Sequence, residues 1–395
     1  MRKRQADDDR AQTTTGRRPF LLSAGAAVGT VALAGCAGDD SGGSVGRVAD
    51  VDPLGSAVTS SGVPWDDLGD LEGEMTIYSG RTIDQIDPVF DALEDRYPDL
   101  TINRDYDDND AQVNKLIQEG EATPADVFYS QDPGALNAVA NEGLTQALPG
   151  DVVDTVPASR RHPDGQWTGV SGRVRSIQYN PERLAEETPF DGPEDLPTDI
   201  FAYAEDDAFE GIISTRPNSG TFRGFIQAMV QLHGETETRQ WVRDFMDQDP
   251  TLYTSGSTQP AEIERGGDDD PILGLGNTYY AARILNENPD ASINVTFTNG
   301  DAGALFSVAG IAATDTADDP ELVAEFARHM VAIDGQEFFQ DVNGEFPVID
   351  GVDYVGPLPN PAELNSPEFD LSSFDMDLEG AIDILEDEGM LPVQN

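Results

Sequence analysis

The stretch Glu74-Met75-Thr76-Ile77-Tyr78-Ser79-Gly80-Arg81, with residues 84–97 after it, decides the fold of this chain. The quoted stretch is a β-rich run that ends in a turn, a pattern typical of a strand. Over residues 84–97 the apolar positions recur at helical spacing, and Pro98 follows. The two segments therefore predict a strand followed by an amphipathic helix, the first half of a βαβ unit.

The same alternation continues along the chain. We expect further strands over residues 101–103, 126–129, 172–180, 211–214 and 302–310, and helices over 111–119, 133–142, 222–233, 241–246 and 320–333. Strands that alternate with helices indicate parallel βαβ units and an α/β fold. About 320 residues follow the N-terminal region, enough for two domains of ordinary size.

The N-terminal region is typical of an export signal. Arg17-Arg18 precedes a short run of small and apolar residues that ends in Leu33-Ala34-Gly35-Cys36. Such a run is too short to span a bilayer as a mature helix. It resembles a twin-arginine signal with a lipoprotein cleavage box. Residues 1–35 are therefore expected to be a signal peptide, with an ordinary membrane anchor as the alternative.

Cys36 is the only cysteine, so an intrachain disulfide is excluded. We expect it to be the lipidated first residue of the mature protein, an incidental thiol being the alternative. Residues 36–72 are rich in Gly, Ser, Asp and Val without a sustained period, which predicts a flexible acidic tether. The domain that begins near Gly73 would then be exported and anchored to the outer face of the cytoplasmic membrane.

The chain has a formal net charge of −52, with 75 acidic and 23 basic residues. Self-repulsion of this size opposes a compact state at low ionic strength, but the Debye length of roughly 3 Å at 1 M salt removes most of it. We infer a protein adapted to concentrated salt. Regular apolar segments argue against a disordered acidic chain, and the absence of EF-hand spacing argues against a calcium buffer. No basic stripe is present to bind nucleic acid.

Four short motifs fall where predicted strands end. They are Ser79-Gly80-Arg81, Ser130-Gln131-Asp132, Ser219-Gly220-Thr221 and Asn277-Thr278-Tyr279-Tyr280. Ligands of open α/β sheets bind beyond the carboxyl ends of the strands, so these motifs mark a candidate site. Two adjacent phenols can supply hard oxygen donors to one small, highly charged ion.

Neighbouring residues of a regular strand point to opposite faces. Tyr279 and Tyr280 can therefore reach the same ion only from a loop or a helix start. The alternative is one core tyrosine and one surface tyrosine.

Five motifs in sequence order support a family resemblance. They are Tyr78-Ser79-Gly80-Arg81, the stretch from Ala125 to Leu136, Val170-Ser171-Gly172-Arg173-Val174-Arg175, Asn277-Thr278-Tyr279-Tyr280 and Gly300-Asp301-Ala302-Gly303-Ala304-Leu305. From about Gly73 to Ile349 the chain resembles the ferric iron substrate-binding proteins of ABC importers. The resemblance implies a two-lobed, type II periplasmic-binding-protein fold. Each lobe would be a mostly parallel sheet flanked by helices, with the ligand in the cleft.

This resemblance also implies how the chain is divided between the lobes. Lobe 1 would comprise residues 73–173 and 310–350, and lobe 2 residues 174–309. The C-terminal segment, residues 351–395, would pack on lobe 2.

The resemblance further implies a set of ligands for Fe(III), the transported ion. Tyr279 and Tyr280 match the coordinating tyrosines of the family. Gln131 falls nearest a family glutamate and is a weaker, neutral donor. Thr82, Ile83 and Asp84 stand where some members have a histidine or a tyrosine. Water or an anion would have to complete the shell, or the cargo would be a chelated ferric species.

A synergistic anion such as carbonate is implied in the same way. Arg173 matches the family arginine that holds this anion, with a surface ion pair as the alternative role. Ser219, Gly220 and Thr221 at a helix start would offer N–H groups to it, although Gly220 could also be only a turn glycine. Residues expected to line the cleft are Ser79, Gly80, Arg81 and Asn277.

The function implied is that of a monomeric receptor without enzymatic activity. It would capture ferric iron outside the cell and deliver it to an ABC permease and its ATPase, with its own lipid anchor as the membrane contact. One alternative is a binding protein for a small oxyanion or organic cation. Another is an exported hydrolase, which the absence of Gly-x-Ser-x-Gly and of zincin spacing argues against.

The acidic composition generates a first prediction. Dialysis from molar to millimolar sodium chloride should loosen the fold, because the screening of carboxylate repulsion is lost. Circular dichroism and the thermal midpoint measure the change. An unchanged spectrum and midpoint across this range would contradict the inferred adaptation to salt.

Overall fold

The computed structural model describes residues 63–361, 364–367, 369–374 and 379–393. The predicted signal peptide, Cys36 and the tether as far as residue 62 lie outside the described residues. No helix within the described ranges is long and apolar enough to cross a membrane.

Residues 63–72 do not match the tether expected there. Trp65 is buried, its backbone N–H donates to the Asp334 carboxylate at 2.7 Å, and its indole N–H donates to the His329 carbonyl at 2.8 Å. Leu71 is buried as well. The folded part therefore begins before Gly73. The composition of this segment does not reveal that the side chains of Trp65 and Leu71 are buried.

The structure is a mixed α/β fold. Its strands are β1 (Gly73–Ser79), β2 (Leu100–Tyr106), β3 (Val127–Ser130), β4 (Thr145–Gln146), β5 (Thr168–Tyr179), β6 (Ser214–Thr215), β7 (Thr251–Leu252), β8 (Leu273–Asn277), β9 (Asn294–Thr296) and β10 (Phe306–Thr314). Its helices are α1 (Ile83–Arg96), α2 (Asn109–Glu119), α3 (Pro133–Asn141), α4 (Gly150–Val153), α5 (Pro181–Glu187), α6 (Ala202–Glu205), α7 (Gly220–His233), α8 (Glu235–Asp247), α9 (Thr258–Arg265), α10 (Thr278–Glu287), α11 (Pro320–Val331), α12 (Ile333–Phe338) and α13 (Glu379–Asp387).

The first part of the chain forms the predicted parallel units. β1 pairs in parallel with β2 and with β3, and α1 and α2 are the crossovers. Thr82 caps α1 and exchanges hydrogen bonds with Gln85, while Pro98 follows the helix end. This capping box satisfies N–H groups that the first turn otherwise leaves without partners.

β5 joins the two halves of the sheet. All twelve of its residues are buried, and its pairing partner changes along its length. Up to Val174 it pairs antiparallel with β10, and from Arg175 onward it pairs antiparallel with β8. The strand order is β2-β1-β3-β10-β5-β8-β6-β7, with β4 added on β10 and β9 on β5.

Two expected strands are wrong in extent. Over residues 302–310, Ala302–Ala304 is a 3-10 turn, and β10 starts only at Phe306. The Asp301 carboxylate causes this, since it accepts N–H bonds from Gly303 and Ile200 at 2.8 Å each. Over residues 211–214, Gly211 has φ +74°, which is outside the extended region, and β6 comprises only Ser214–Thr215.

The C-terminal segment contacts both halves. α13 packs on α7 and α8. By contrast, the Asn137 side chain on α3 donates to the carbonyls of Leu371 and Phe374, at 2.9 and 2.7 Å. The expectation that residues 351–395 pack on lobe 2 alone therefore holds for α13. It does not hold for Leu371 and Phe374, which are bonded to α3.

Gly310 generates a second prediction. A Cβ at this position would lie 2.5 Å from the Thr168 carbonyl oxygen and 2.8 Å from Leu136 Cδ1, where β10 shifts register against β5. Gly310→Ala should lower the free energy of unfolding by about 1–3 kcal/mol. Gly380→Ala is the matched control because its Cβ would meet open space in α13. Urea unfolding in molar salt measures both, and equal midpoints would contradict the expected clash.

Candidate metal centre

Tyr279 and Tyr280 lie in the first turn of α10, directly after β8 ends at Asn277. Their ring centroids are 4.2 Å apart, with planes inclined by 40°. Tyr279 is buried and Tyr280 is half-buried. The helix start thus brings together two phenols that a strand would have pointed apart.

Thr278 fixes this helix start to the sheet. Its hydroxyl oxygen accepts a hydrogen bond from the backbone N–H of Val174 at 3.2 Å. Val174 is the β5 residue at which the strand changes partners. The position of the tyrosines is therefore set relative to the residues on either side of Val174.

The Tyr279 phenol is strongly biased toward its neutral form. Burial raises its pKa well above the ordinary value near 10, the neighbouring Tyr280 raises it further, and the Arg173 charge only partly opposes the shift. A phenolate at this position therefore forms only with a strongly charged cation beside it.

Two arginines lie on the same face of β5. Arg173 and Arg175 are alternate residues of one strand, and only 4% and 5% of their surface is exposed. The Arg173 side chain forms no hydrogen bond or ion pair within the described part of the chain. Arg175 donates to the Thr221 carbonyl at 3.1 Å and lies 5.1 Å from the ring centres of Phe222 and Phe225.

Neither arginine forms an ion pair with a carboxylate among the described residues, although Glu345 and Asp132 are close enough to Arg173 to oppose part of the shift in its pKa. Burial lowers the pKa of both guanidinium groups from their ordinary value. A charge taken out of water is costly unless an opposite charge compensates it. The arrangement therefore favours a bound anion, and the alternative of a surface ion pair for Arg173 is wrong.

The start of α7 lies beside them. The Ser219 hydroxyl accepts from the N–H of Phe222 at 3.1 Å, and the Asn277 amide donates to the Thr221 hydroxyl at 3.1 Å. The first N–H groups of a helix have no partners within it and lie at the positive end of its dipole. Gly220 and Thr221 are the first residues of α7, and both line the same cavity as the two arginines.

A cavity open to solvent, with about 460 Å³ of empty space, separates this region from the start of α3. Its lining includes Arg173, Arg175, Gly220, Thr221 and Asn277 on one side and Asp132, Pro133 and Gly134 on the other. We call it the first cavity. Residues from both halves of the sheet therefore face one space.

Arg81 has a different role from the one expected. It is only 1% exposed, pairs with the Glu345 carboxylate at 2.9 Å and donates to the Ser171 hydroxyl at 3.2 Å. Ser79 and Gly80 are buried too, and none of the three is among the residues that line the first cavity. Asn277 does line it.

The family described as bacterial extracellular solute-binding protein matches residues 122–372. The chain belongs to this family. The solute-binding protein is 26% identical over 289 residues to Iron uptake protein A2 of a Synechocystis species. The aligned region covers 70% of this chain and 79% of that protein.

Solved structures share its fold. Iron-bound HitA from Pseudomonas aeruginosa has a TM-score of 0.72 at 23% identity, covering 80% of this chain and 99% of that chain. The Trichodesmium protein IdiA (FutA) in complex with iron and citrate has a TM-score of 0.67 at 23% identity, with the same coverage. The expected periplasmic-binding-protein fold is confirmed, but the sheet is mixed rather than mostly parallel, since β10 pairs antiparallel with β3, β4 and β5, and β5 pairs antiparallel with β8 and β9.

Several predicted site residues of the solute-binding protein have other partners. The Gln131 amide donates to the Gln85 side chain at 3.2 Å, and no contact with the tyrosines is present among the residues described. Thr82, Ile83 and Asp84 are exposed at the start of α1. Within the described ranges, no group of three His, Cys, Asp or Glu residues could hold a metal ion.

Sequence reasoning missed Glu345. This carboxylate is only 2% exposed and follows a π-helical turn, Phe339–Asn343, at a position that no motif marks. The next residue, Phe346, pairs with Gly172 of β5 through two hydrogen bonds of 2.7 Å. On the other side, the Asn343 carbonyl accepts from Arg283 of α10 at 3.0 Å. The sequence contains only an indirect signal for Glu345, because Arg81 requires an acidic partner once it is buried.

Proposed function

We propose that this solute-binding protein captures ferric iron outside the cytoplasm and delivers it to an ABC permease and its ATPase. Tyr279 and Tyr280 bind the ion as phenolates. An anion such as carbonate, held by Arg173 and by the start of α7 from Ser219 to Thr221, completes the coordination shell.

One observation supports this proposal above the others. Two phenols whose ring centroids are 4.2 Å apart lie at a helix start, near a buried arginine that forms no hydrogen bond or ion pair within the described residues. Hard anionic oxygens suit a hard trivalent ion, and the charge of the ion offsets the cost of ionising a buried phenol. A site for an oxyanion alone would not use this tyrosine pair.

The names of relatives support iron as the cargo. One is an iron uptake protein, and two solved structures with the same fold hold iron. We further propose that the receptor acts as a monomer, has no catalytic role, and is held at the membrane by a lipid on Cys36. Gln131 remains a proposed additional donor through its amide oxygen, since its amide nitrogen is the group that bonds Gln85.

The third prediction concerns colour. Purified protein titrated with ferric citrate should develop a visible tyrosinate-to-iron charge-transfer band. Tyr279→Phe and Tyr280→Phe should each weaken iron retention at least about tenfold, and the double variant should stay colourless. Arg173→Ala should weaken retention to an extent that depends on the anion supplied.

Tyr203→Phe is the matched control. Tyr203 is also buried, but its hydroxyl donates to the Pro197 carbonyl at 2.9 Å, outside the site. This variant should develop the same band as the unaltered protein. Full iron affinity in the double tyrosine variant would contradict the assignment of Tyr279 and Tyr280 as iron ligands. Binding of an oxyanion without colour would favour the alternative of an oxyanion receptor.

The fourth prediction concerns protons. The pKa of Tyr279 is raised, so the phenol is protonated at neutral pH and must lose its proton when the ion binds. Iron affinity should therefore fall as the pH is lowered. In a pH-stat, Tyr279→Phe should release about one proton fewer per bound iron than the unaltered protein. Equal release from both would show that Tyr279 does not bind the metal as a phenolate.

A further inference from the structure

A buried ion pair adjoins the tyrosine pair. Nη2 of Arg81 donates to both carboxylate oxygens of Glu345, at 2.9 and 3.0 Å, and Nη1 donates to the Ser171 hydroxyl at 3.2 Å. Only 1% of the Arg81 surface and 2% of the Glu345 surface are exposed. Neither residue lines the first cavity. The tyrosine and anion assignments therefore leave this pair without a role.

The backbone next to Glu345 packs directly on the first turn of α10. A Cβ at Gly344 would lie only 3.2 Å from the Tyr279 carbonyl oxygen. The Asn343 carbonyl accepts a hydrogen bond from Arg283 Nε at 3.0 Å, and the guanidinium carbon of Arg283 is 5.3 Å from the centre of the Tyr279 ring. Glu345 thus directly follows the residue that touches the Tyr279 backbone.

The charge of Glu345 reaches the proposed iron site. Its carboxylate raises the pKa of Tyr279, and it raises the pKa of the Arg173 guanidinium more than Arg81 lowers it. The ion pair therefore does not act on the site as a neutral unit, since its negative end has the larger effect there. Buried charges interact through a lower dielectric than surface charges, and salt screens them less.

The pair is poorly arranged for stability alone. One nitrogen of Arg81 contacts both carboxylate oxygens, and the buried Nε of Arg81 has no hydrogen-bond partner among the described residues. The Asn343 side chain donates to the Glu345 carboxylate at 3.3 Å, but its own buried Oδ1 accepts no bond within the same residues. Apolar residues of similar volume often stabilise a fold as well as a buried ion pair does. The arrangement therefore favours a role in the electrostatics of the site.

We propose that Glu345, held in place by Arg81, is a positioning residue that keeps bound iron in its ferric state through its charge. This inference rests on the proposed function and deepens it. A ferric ion bound by two phenolates keeps one positive charge, whereas the ferrous form keeps none. A fixed negative charge nearby stabilises the ferric form selectively, so it lowers the reduction potential of the bound iron.

Spectroelectrochemistry on the full chain, loaded from ferric citrate, tests this proposal. The tyrosinate band disappears when the ferric ion is reduced, so its intensity gives the midpoint potential at a fixed excess of ferrous iron and one salt concentration. Glu345→Gln should favour the ferrous form by roughly tenfold, which corresponds to about 59 mV toward positive potential for a one-electron couple. Its ferric affinity, measured by competition with citrate, should fall by a similar factor.

Glu345→Asp separates the effect of charge from that of shape. Gln keeps the shape of the Glu345 side chain and removes its charge, whereas Asp keeps the charge and is shorter. An electrostatic role predicts a smaller shift of the potential in Glu345→Asp than in Glu345→Gln, and a purely structural role predicts the reverse.

Asp151→Asn is the matched control. It also removes a carboxylate that pairs with an arginine, since Asp151 in α4 bonds Arg328 in α11 at 2.6 Å. This variant should lower the thermal midpoint and leave the reduction potential unchanged. Circular dichroism establishes that each variant is folded.

A variant with Arg81→Gln and Glu345→Gln together leaves no unpaired buried charge, so it tests the proposal even where Glu345→Gln alone does not fold. Its potential should rise by less than that of Glu345→Gln, because Arg81 opposes part of the effect of Glu345. Unchanged potentials in both variants, or a larger shift in Glu345→Asp than in Glu345→Gln, would overturn this inference alone. If the unaltered protein develops no tyrosinate band, the proposed function is wrong and this inference with it.

Discussion

The exchange of pairing partners along β5 is the constraint on which the site depends. One strand of twelve buried residues pairs with β10 up to Val174 and with β8 from Arg175. Arg173 and Arg175 lie on either side of this exchange, and the Val174 N–H ties the start of α10 to the same point. The tyrosines and the arginines are therefore placed by adjacent residues of a single strand rather than by independent loops.

Local chemistry explains which parts of the fold could be predicted from sequence. α1 was predictable because its period and the proline after it are read from neighbouring residues. The tyrosine pair could be found because two rare side chains stand side by side after an apolar run. The start of β10 could not be found in this way, because it depends on hydrogen bonds that Asp301 makes with both Gly303 and Ile200.

Contacts distant in sequence account for most of what was missed. Glu345 lies 264 residues from the Arg81 that it pairs with, and Trp65 lies 264 residues from the His329 carbonyl. No periodicity encodes such pairs. The site also shows why composition alone misleads. In a chain with a net charge of −52, two neighbouring arginines of β5 are buried without an ion pair among the described residues. Salt screens the surface charges much more than the buried ones.

The segment from Asn343 to Phe346 links three parts of the molecule. It is bonded to Arg283 of α10, to Gly172 of β5 and, through Glu345, to Arg81 after β1. The helix that begins with the tyrosines is therefore bonded to both halves of the sheet. A rearrangement of the starts of α7 and α3 around the first cavity would leave the phenols tied to the sheet centre.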